Sequence, residues 1–305
     1  MIYTCTLNPS VDYIVQLDEL RVGELNRAMK TLAFPGGKGI NVSRVLKRLG
    51  VDSTALGFIG GFTGEFIEKE LGKENIVCDF VKVPGNTRIN VKLKAGLETE
   101  INGQGPTVKA EHEAQLLEKI RSLTGNDIIV LAGSVPSSMP SDVYEKICDE
   151  AKKRNAKVVV DTSGPALKAL LAHKPFFAKP NHKELAELFG TRFQAKEEII
   201  AYGRRLVEMG VENVIVSMAG NGAFYFNREV TLFAKAPQGT VKNSVGAGDS
   251  LVAGFLAAYV SGKTIDEAFA YGVASGSATA FSEDLCSKED VEQLVNAVKV
   301  TRVAS

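Results

Sequence analysis

The chain has 305 residues, 45% of them hydrophobic and 24% charged, with 29 glycines, a balance that fits a folded α/β enzyme and excludes a disordered or fibrous chain. Lysine and arginine total 36, as do aspartate and glutamate, so no global positive field gathers nucleic acid or an anionic membrane; an anionic ligand must be held by a local cluster. Four cysteines (Cys5, Cys78, Cys148, Cys286) and three histidines (His112, His173, His182) show no zinc-ligand spacing, and the thiols read as buried and reduced.

The opening segment, MIYTCTLNPSVDYIV, has no basic region ahead of an apolar run. No stretch approaches the roughly 18 apolar residues of a membrane span, so a cytoplasmic protein without membrane or nucleic-acid partners is expected. IYTCTL predicts a first strand. Residues 11–34 then alternate with period two and carry turn signals, which predicts strands without an intervening helix. Helical periodicity follows at 38–49 and 63–73, around the strand STALGFIG at 53–60. Residues 87–103 again read as strands, and helices at 110–123, 140–154 and 196–209 alternate with the apolar runs DIIVLAG, KVVVDTS and NVIVSMAG. Three consecutive helices at 247–261, 265–282 and 287–299 end the chain. This order predicts one α/β domain, a mostly parallel sheet with helices on both faces. Segments 11–34 and 87–103 stand outside it as a small antiparallel sheet, suited to be a lid or to pair with a second subunit.

Four turns carry candidate chemistry. In NSVGAGDSLVAGF at 243–255, the N–H groups of Gly246, Ala247 and Gly248 open a helix where an anion is favoured, and Asp249 adds a carboxylate. Asp249 suits a base for an attacking hydroxyl, and equally suits a simple helix cap. PGGKGINVSRVLKRLG at 35–50 sets Gly36, Gly37 and Gly39 around Lys38 with Asn41 behind, fitting a sugar phosphate or a plain glycine turn; it is no Walker A loop. In AKPNHKELAELFG at 178–190, Asn181 and Glu184 lie three apart at a helix start, fitting hydrated magnesium or a capping box. SMAGNGAFYF at 217–226 reads as a strand, a Gly-x-Gly turn and a strand, without the dinucleotide fingerprint, fitting backbone amides laid against nucleotide phosphates or an adenine edge, or a plain β-hairpin.

Asp12, GGKGINVS at 36–43, NHKE at 181–184, SMAGNG at 217–222 and NSVGAGDSLVAGF at 243–255, in that order, resemble the ribokinase-like (PfkB) family of carbohydrate kinases across essentially the whole chain. The resemblance implies a three-layer α/β/α core with a β lid, ATP and Mg2+ as cofactors, a sugar-phosphate substrate and a homodimer formed through the lid. TLNPSVDY, PGGKGINVSRVL and TRINVKL are most similar to family members acting on ketohexose monophosphates, fructose 1-phosphate ahead of tagatose 6-phosphate or fructose 6-phosphate.

By the same resemblance, Asp249 is the base and Gly246, Ala247 and Gly248 the anion hole. Asp12, Gly36, Gly37 and Asn41 bind the sugar, while Lys38, Arg88 and Arg27 neutralise its phosphate, with Asn90 and Lys92 nearby. Lys179, Asn181, Ser217, Met218, Ala219, Gly220, Asn221 and Gly222 line the ATP site with Gly248, beside Val241, Ser244, Ala274 and Ser275. Glu184 holds magnesium through water. One departure stands out: many relatives carry Asp-Thr before the Gly-Ala-Gly-Asp, where this chain has Ser244-Val245, which puts a monovalent-cation site in doubt.

Overall fold

The apolar runs become strands because both of their faces are buried. In the computed structural model, which describes residues 1–303, Ile2–Thr6, Ser53–Ile59, Ile128–Ala132, Lys157–Asp161 and Asn213–Ser217 are parallel neighbours in one sheet or one strand removed from each other. Ile129, Leu131, Val158 and Val160 enter one core and Ile128, Val130 and Val159 the opposite one. A strand covered on both sides has no polar face, hence the continuous apolar runs.

Ile2–Thr6 lies between Ser53–Ile59 and Ile128–Ala132, and the parallel order continues through Lys157–Asp161 and Phe177–Ala178 to Asn213–Ser217. Ala223–Phe226, Thr231–Ala234 and Val300–Arg302 then add antiparallel strands, while Val77–Cys78 and Val81–Lys82 pair with Ser53–Ile59 at the other edge. Several of these strands have only two to four residues, too few to show a period in the sequence.

The predicted helices form as Lys38–Arg48, Gly61–Lys73, Ala110–Arg121, Val143–Lys153 and Lys196–Glu208. Leu116, Ile147, Leu170 and Leu206 cover one sheet face. On the other, Val45 of Lys38–Arg48 joins Phe255, Phe269 and Val291 of the helices Ala247–Val260, Ile265–Ala280 and Lys288–Val295. The C-terminal helices are therefore most of the second helical layer. Each such fully buried side chain adds roughly 1.5–3 kcal/mol relative to exposure, so the sheet is a firm platform for its loops.

The lid is a separate four-stranded sheet, ordered Lys30–Gly36, Ser10–Gln16, Arg88–Ala95, Leu97–Asn102. Its outer pairs are antiparallel, and the two are joined by a parallel seam between Ser10–Gln16 and Arg88–Ala95. That seam sets Asp12 opposite Asn90, a juxtaposition no sequence spacing announces.

Candidate active site

A cleft of about 1380 Å³ opens at the carboxyl ends of the parallel strands. Thr6, Gly133, Thr162, Lys179 and Ser217, each at or just beyond a strand end, form its floor, the place where open α/β sheets bind ligands. The lid contributes Asp12, Arg88 and Asn90 to one end, and the start of Ala247–Val260 lies across the middle.

Gly246, with φ of 78°, is the N-cap of Ala247–Val260. The capping alternative for Asp249 therefore fails, because Asp249 stands in the first turn with its carboxylate turned elsewhere: Asn41 Nδ2 donates to Asp249 Oδ2 at 2.8 Å. Asp249 is buried yet borders the cleft. Burial pushes its carboxyl up to about 6, the charge of Asp161 adds to that, and Lys38, Asn41 and Lys179 hold it back.

Lys38 and Lys179 converge on one fully buried carboxylate. Lys38 Nζ lies 3.2 Å and Lys179 Nζ 3.3 Å from Asp161 Oδ1. Despite its burial, Asp161 is held below the usual carboxylate range by the two ammonium groups, and Lys38 is raised above the usual lysine value chiefly by Asp161. Lys179 also meets the glycine turn, since a Cβ on Gly248 would come within 3.0 Å of its Nζ. Asp161 was not among the sequence candidates. The available signal was a carboxylate ending the apolar run KVVV, at the ligand-binding end of a parallel strand.

At the lid end, Asp12 Oδ1 accepts from Ser10 Oγ at 2.8 Å and Asn90 Nδ2 at 3.4 Å, and Oδ2 pairs with Lys92 Nζ at 3.0 Å. Lys92 thus serves Asp12 and is itself buried, while Asp12 is half-buried at the cleft. Gly37 lines the cleft, whereas Gly36 does not and packs behind Asp12: a Cβ there would lie 2.5 Å from the Asp12 carboxyl carbon. Arg88 donates from Nη2 to the Asn8 carbonyl at 2.9 Å, while its Nε and Asn90 Oδ1 are buried without partners. Arg27 is exposed in the segment after Ser10–Gln16, outside the cleft lining.

At the other end, Asn181 caps His182–Leu188. Its Oδ1 accepts from the amides of Lys183 and Glu184, and Glu184 Oε2 accepts from the Asn181 amide at 2.8 Å. The capping box is real, and both residues still border the cleft. A parallel bridge links Asn181 to Ser217, so the Asn181 and Ser217 turns lie side by side. Ser217, Ala219, Gly220 and Gly222 line the cleft with Val241 and Ser244. Met218 is instead buried in the core and Asn221 is exposed outside the lining. Ala274 and Ser275 also lie away from the cleft, which Val273, Gly276, Ser277 and Ala280 of the same helix line. Ser275 faces Gly254 of the neighbouring helix, the close packing that helical rotation of 100° per residue imposes on adjacent positions.

Among the described residues no three His, Cys, Asp or Glu side chains gather as a metal cage. The donor set fits magnesium only as an ion shared with a ligand's phosphates, with Glu184 the nearby carboxylate.

A mostly parallel sheet layered between helices, a separate lid sheet and a glycine-rich helix start over the carboxyl strand ends define a ribokinase-like enzyme. The chain belongs to the pfkB family of carbohydrate kinases, whose model matches residues 6–291. It is 58% identical over 303 residues to the 1-phosphofructokinase of Bacillus subtilis (strain 168), covering 99% of this chain and 100% of that one. It is 40% identical over 304 residues to the D-tagatose-1-phosphate kinase of Bacillus licheniformis, covering 99% and 100%. The crystal structure of phosphofructokinase-2 from Escherichia coli in complex with substrates and products superposes with a TM-score of 0.93 at 29% identity, covering 97% of this chain and 98% of that one.

Proposed function

We propose that the protein transfers the γ-phosphoryl group of ATP to the 6-hydroxyl of fructose 1-phosphate, giving fructose 1,6-bisphosphate and ADP. The observation that carries this reading is the buried, Asn41-held Asp249 beside the Gly246–Gly248 turn, in one cleft with the Lys38–Asp161–Lys179 cluster and, on the lid side, Arg88. On the lid side, Arg88 neutralises the substrate's 1-phosphate together with Lys38 of the neighbouring Asp161 cluster, and Asp12, Asn41, Asn90 and Gly37 position the sugar hydroxyls. Arg27 joins them only if the segment carrying it moves.

Lys179, beside Lys38 on Asp161 and against the Gly248 turn, receives the nucleotide phosphates with Asn181 and the Ser217–Gly222 turn, and Val241 and Ser244 lie beside the adenosine. The substrate hydroxyl attacks the γ-phosphorus in line while Asp249 accepts its proton. The amides of Gly246, Ala247 and Gly248 hold the developing charge at a helix N-terminus. Bound magnesium, with Glu184 reaching it through water, would offset phosphate charge. Lid closure keeps water from competing for the phosphoryl group.

The lid exposes Val22, Leu25, Met29, Leu97 and Ile101. A second copy of the chain covering that apolar surface gives a homodimer. No helix among the described residues is long and apolar enough to cross a membrane, and we place the enzyme in the cytoplasm beside its phosphorylated substrates.

A second reading, D-tagatose 1-phosphate, is favoured by the relative of that activity. Tagatose differs from fructose only in configuration at C4, so both sugars present C1 phosphate and C6 hydroxyl across the same distance. Steady-state kcat/KM for fructose 1-phosphate, tagatose 1-phosphate, tagatose 6-phosphate and fructose 6-phosphate decides between them. Fructose 1-phosphate is expected to lead, and a tenfold preference for any other sugar overturns the assignment.

A further inference from the structure

Outside the cleft, the helix Lys38–Arg48 carries a second set of contacts, one turn beyond Asn41. Arg44, 4% exposed, donates from Nη2 to Asp284 Oδ2 at 2.8 Å and from Nη1 to Asp284 Oδ1 at 3.3 Å, while its Nε donates to Glu74 Oε1 at 2.7 Å. Arg48 adds Nη2 to Asp284 Oδ2 at 2.8 Å, and its Nη1 donates to the carbonyls of Leu285 and Cys286. Two guanidinium groups from one helix therefore grip three consecutive residues, Asp284 to Cys286.

That turn underlies the glycine-rich loop. Leu285 is buried against Gly246: a Cβ on Gly246 would come within 2.6 Å of Leu285 Cδ2. Asn243 Nδ2 donates to the Glu283 carbonyl at 3.2 Å, and the amides of Lys242 and Asn243 both donate to Ala280 O, so the approach to Gly246 is tied to the same turn. Asn41, on the helix that carries the arginines, holds Asp249 and also lies by Gly246, where a Cβ would come within 3.6 Å of its Nδ2.

We infer that Arg44 and Arg48, gripping Asp284–Cys286, are positioning residues for the phosphoryl-transfer loop: they fix the turn on which Gly246 rests, in register with the Asn41–Asp249 contact. This rests on the proposed roles of Asp249 and Gly246–Gly248. Arginine suits the task because its planar fork bridges Asp284 and Glu74 at once, which a lysine ammonium on a flexible stem cannot do with fixed direction. A loop displaced by about 1 Å loses transition-state contacts before it loses ground-state binding.

The test uses the full-length enzyme with Arg44→Lys, Asp284→Asn, their double variant and, in parallel, Asp249→Asn. Each is measured for kcat and both KM values per folded molecule, with thermal unfolding recorded. Arg44→Lys and Asp284→Asn are each expected to lower kcat about tenfold with both KM values within about threefold, and the double variant to be no worse than about twofold below the poorer single one. Single variants that melt earlier yet keep kcat within twofold make the cluster merely structural and overturn the inference. Losses confined to KM overturn it too. If Asp249→Asn itself turns over normally, the base assignment has failed; if it collapses while Arg44→Lys and Asp284→Asn do not, only the positioning inference has. Asp284, 30% exposed at its side chain, keeps the test decisive should Arg44→Lys fail to fold.

Discussion

Asn41 and Asp249 are 208 residues apart in sequence and 2.8 Å apart in space, Nδ2 to Oδ2. The bond occupies one carboxylate oxygen and fixes the plane of the group, leaving the other oxygen for the cleft.

Asp249→Asn should therefore retain the fold and the Asn41 contact while removing the proton acceptor. A fall in kcat of about 10²–10⁴, with KM for sugar and ATP within a few fold, is expected from loss of a positioned base. Steady-state kinetics of the purified variant would show it, and near-normal turnover would refute the role.

Because burial lifts the Asp249 carboxyl of the unliganded enzyme to about 6, and only the ionised form takes a proton, kcat/KM should fall as pH drops through about 6. The pH dependence of kcat/KM, which reports groups of the free enzyme, checks this, and an acid limb near 4 would contradict the buried-carboxyl account.

The same shift bears on stability. The folded protein binds the Asp249 proton more tightly than the unfolded chain, whose carboxyl titrates near 3.8. Ionisation thus opposes folding increasingly from about 3.8 to about 6, and fully above that. Asp249→Asn should be more stable than the parent at pH 8, by on the order of 2 kcal/mol, with the gain vanishing below pH 4. Urea unfolding at both pH values is the check; equal stability at pH 8 rules it out.

Asp161→Asn removes the charge that Lys38 and Lys179 share. Two ammonium groups left together in a mostly buried site should cost about 2 kcal/mol, less than a fully buried broken pair because Lys38 remains 36% exposed at its side chain. Denaturant unfolding measures it, and a loss below about 0.5 kcal/mol would show that the lysines find other partners.

Gly36→Ala places a methyl carbon 2.5 Å from the Asp12 carboxyl carbon. Moving Asp12 off its Ser10, Asn90 and Lys92 contacts should raise KM for the sugar phosphate roughly tenfold or more while leaving KM for ATP unchanged. Equal effects on both substrates would place the damage elsewhere.

Periodicity and apolar runs by themselves determined the alternation of strands and helices, the separate lid segments and the glycine-rich turns, because these are local consequences of side-chain pattern and backbone freedom. The order of motifs pointed to the family. What local pattern could not supply was partnership across the fold. Asn181 and Glu184 looked like either a capping box or a ligand pair and are a formed box that also borders the cleft. Asp249 suited a base or a helix cap, and Gly246 takes the cap position. Asp161 was hidden within a strand, Ala274 and Ser275 are buried away from the cleft that Val273 and Gly276 line, and the Arg44–Asp284 grip joins elements 240 residues apart. Each depends on which surfaces packing brings together, and that is decided by the burial of whole elements and not by the residues near any one motif.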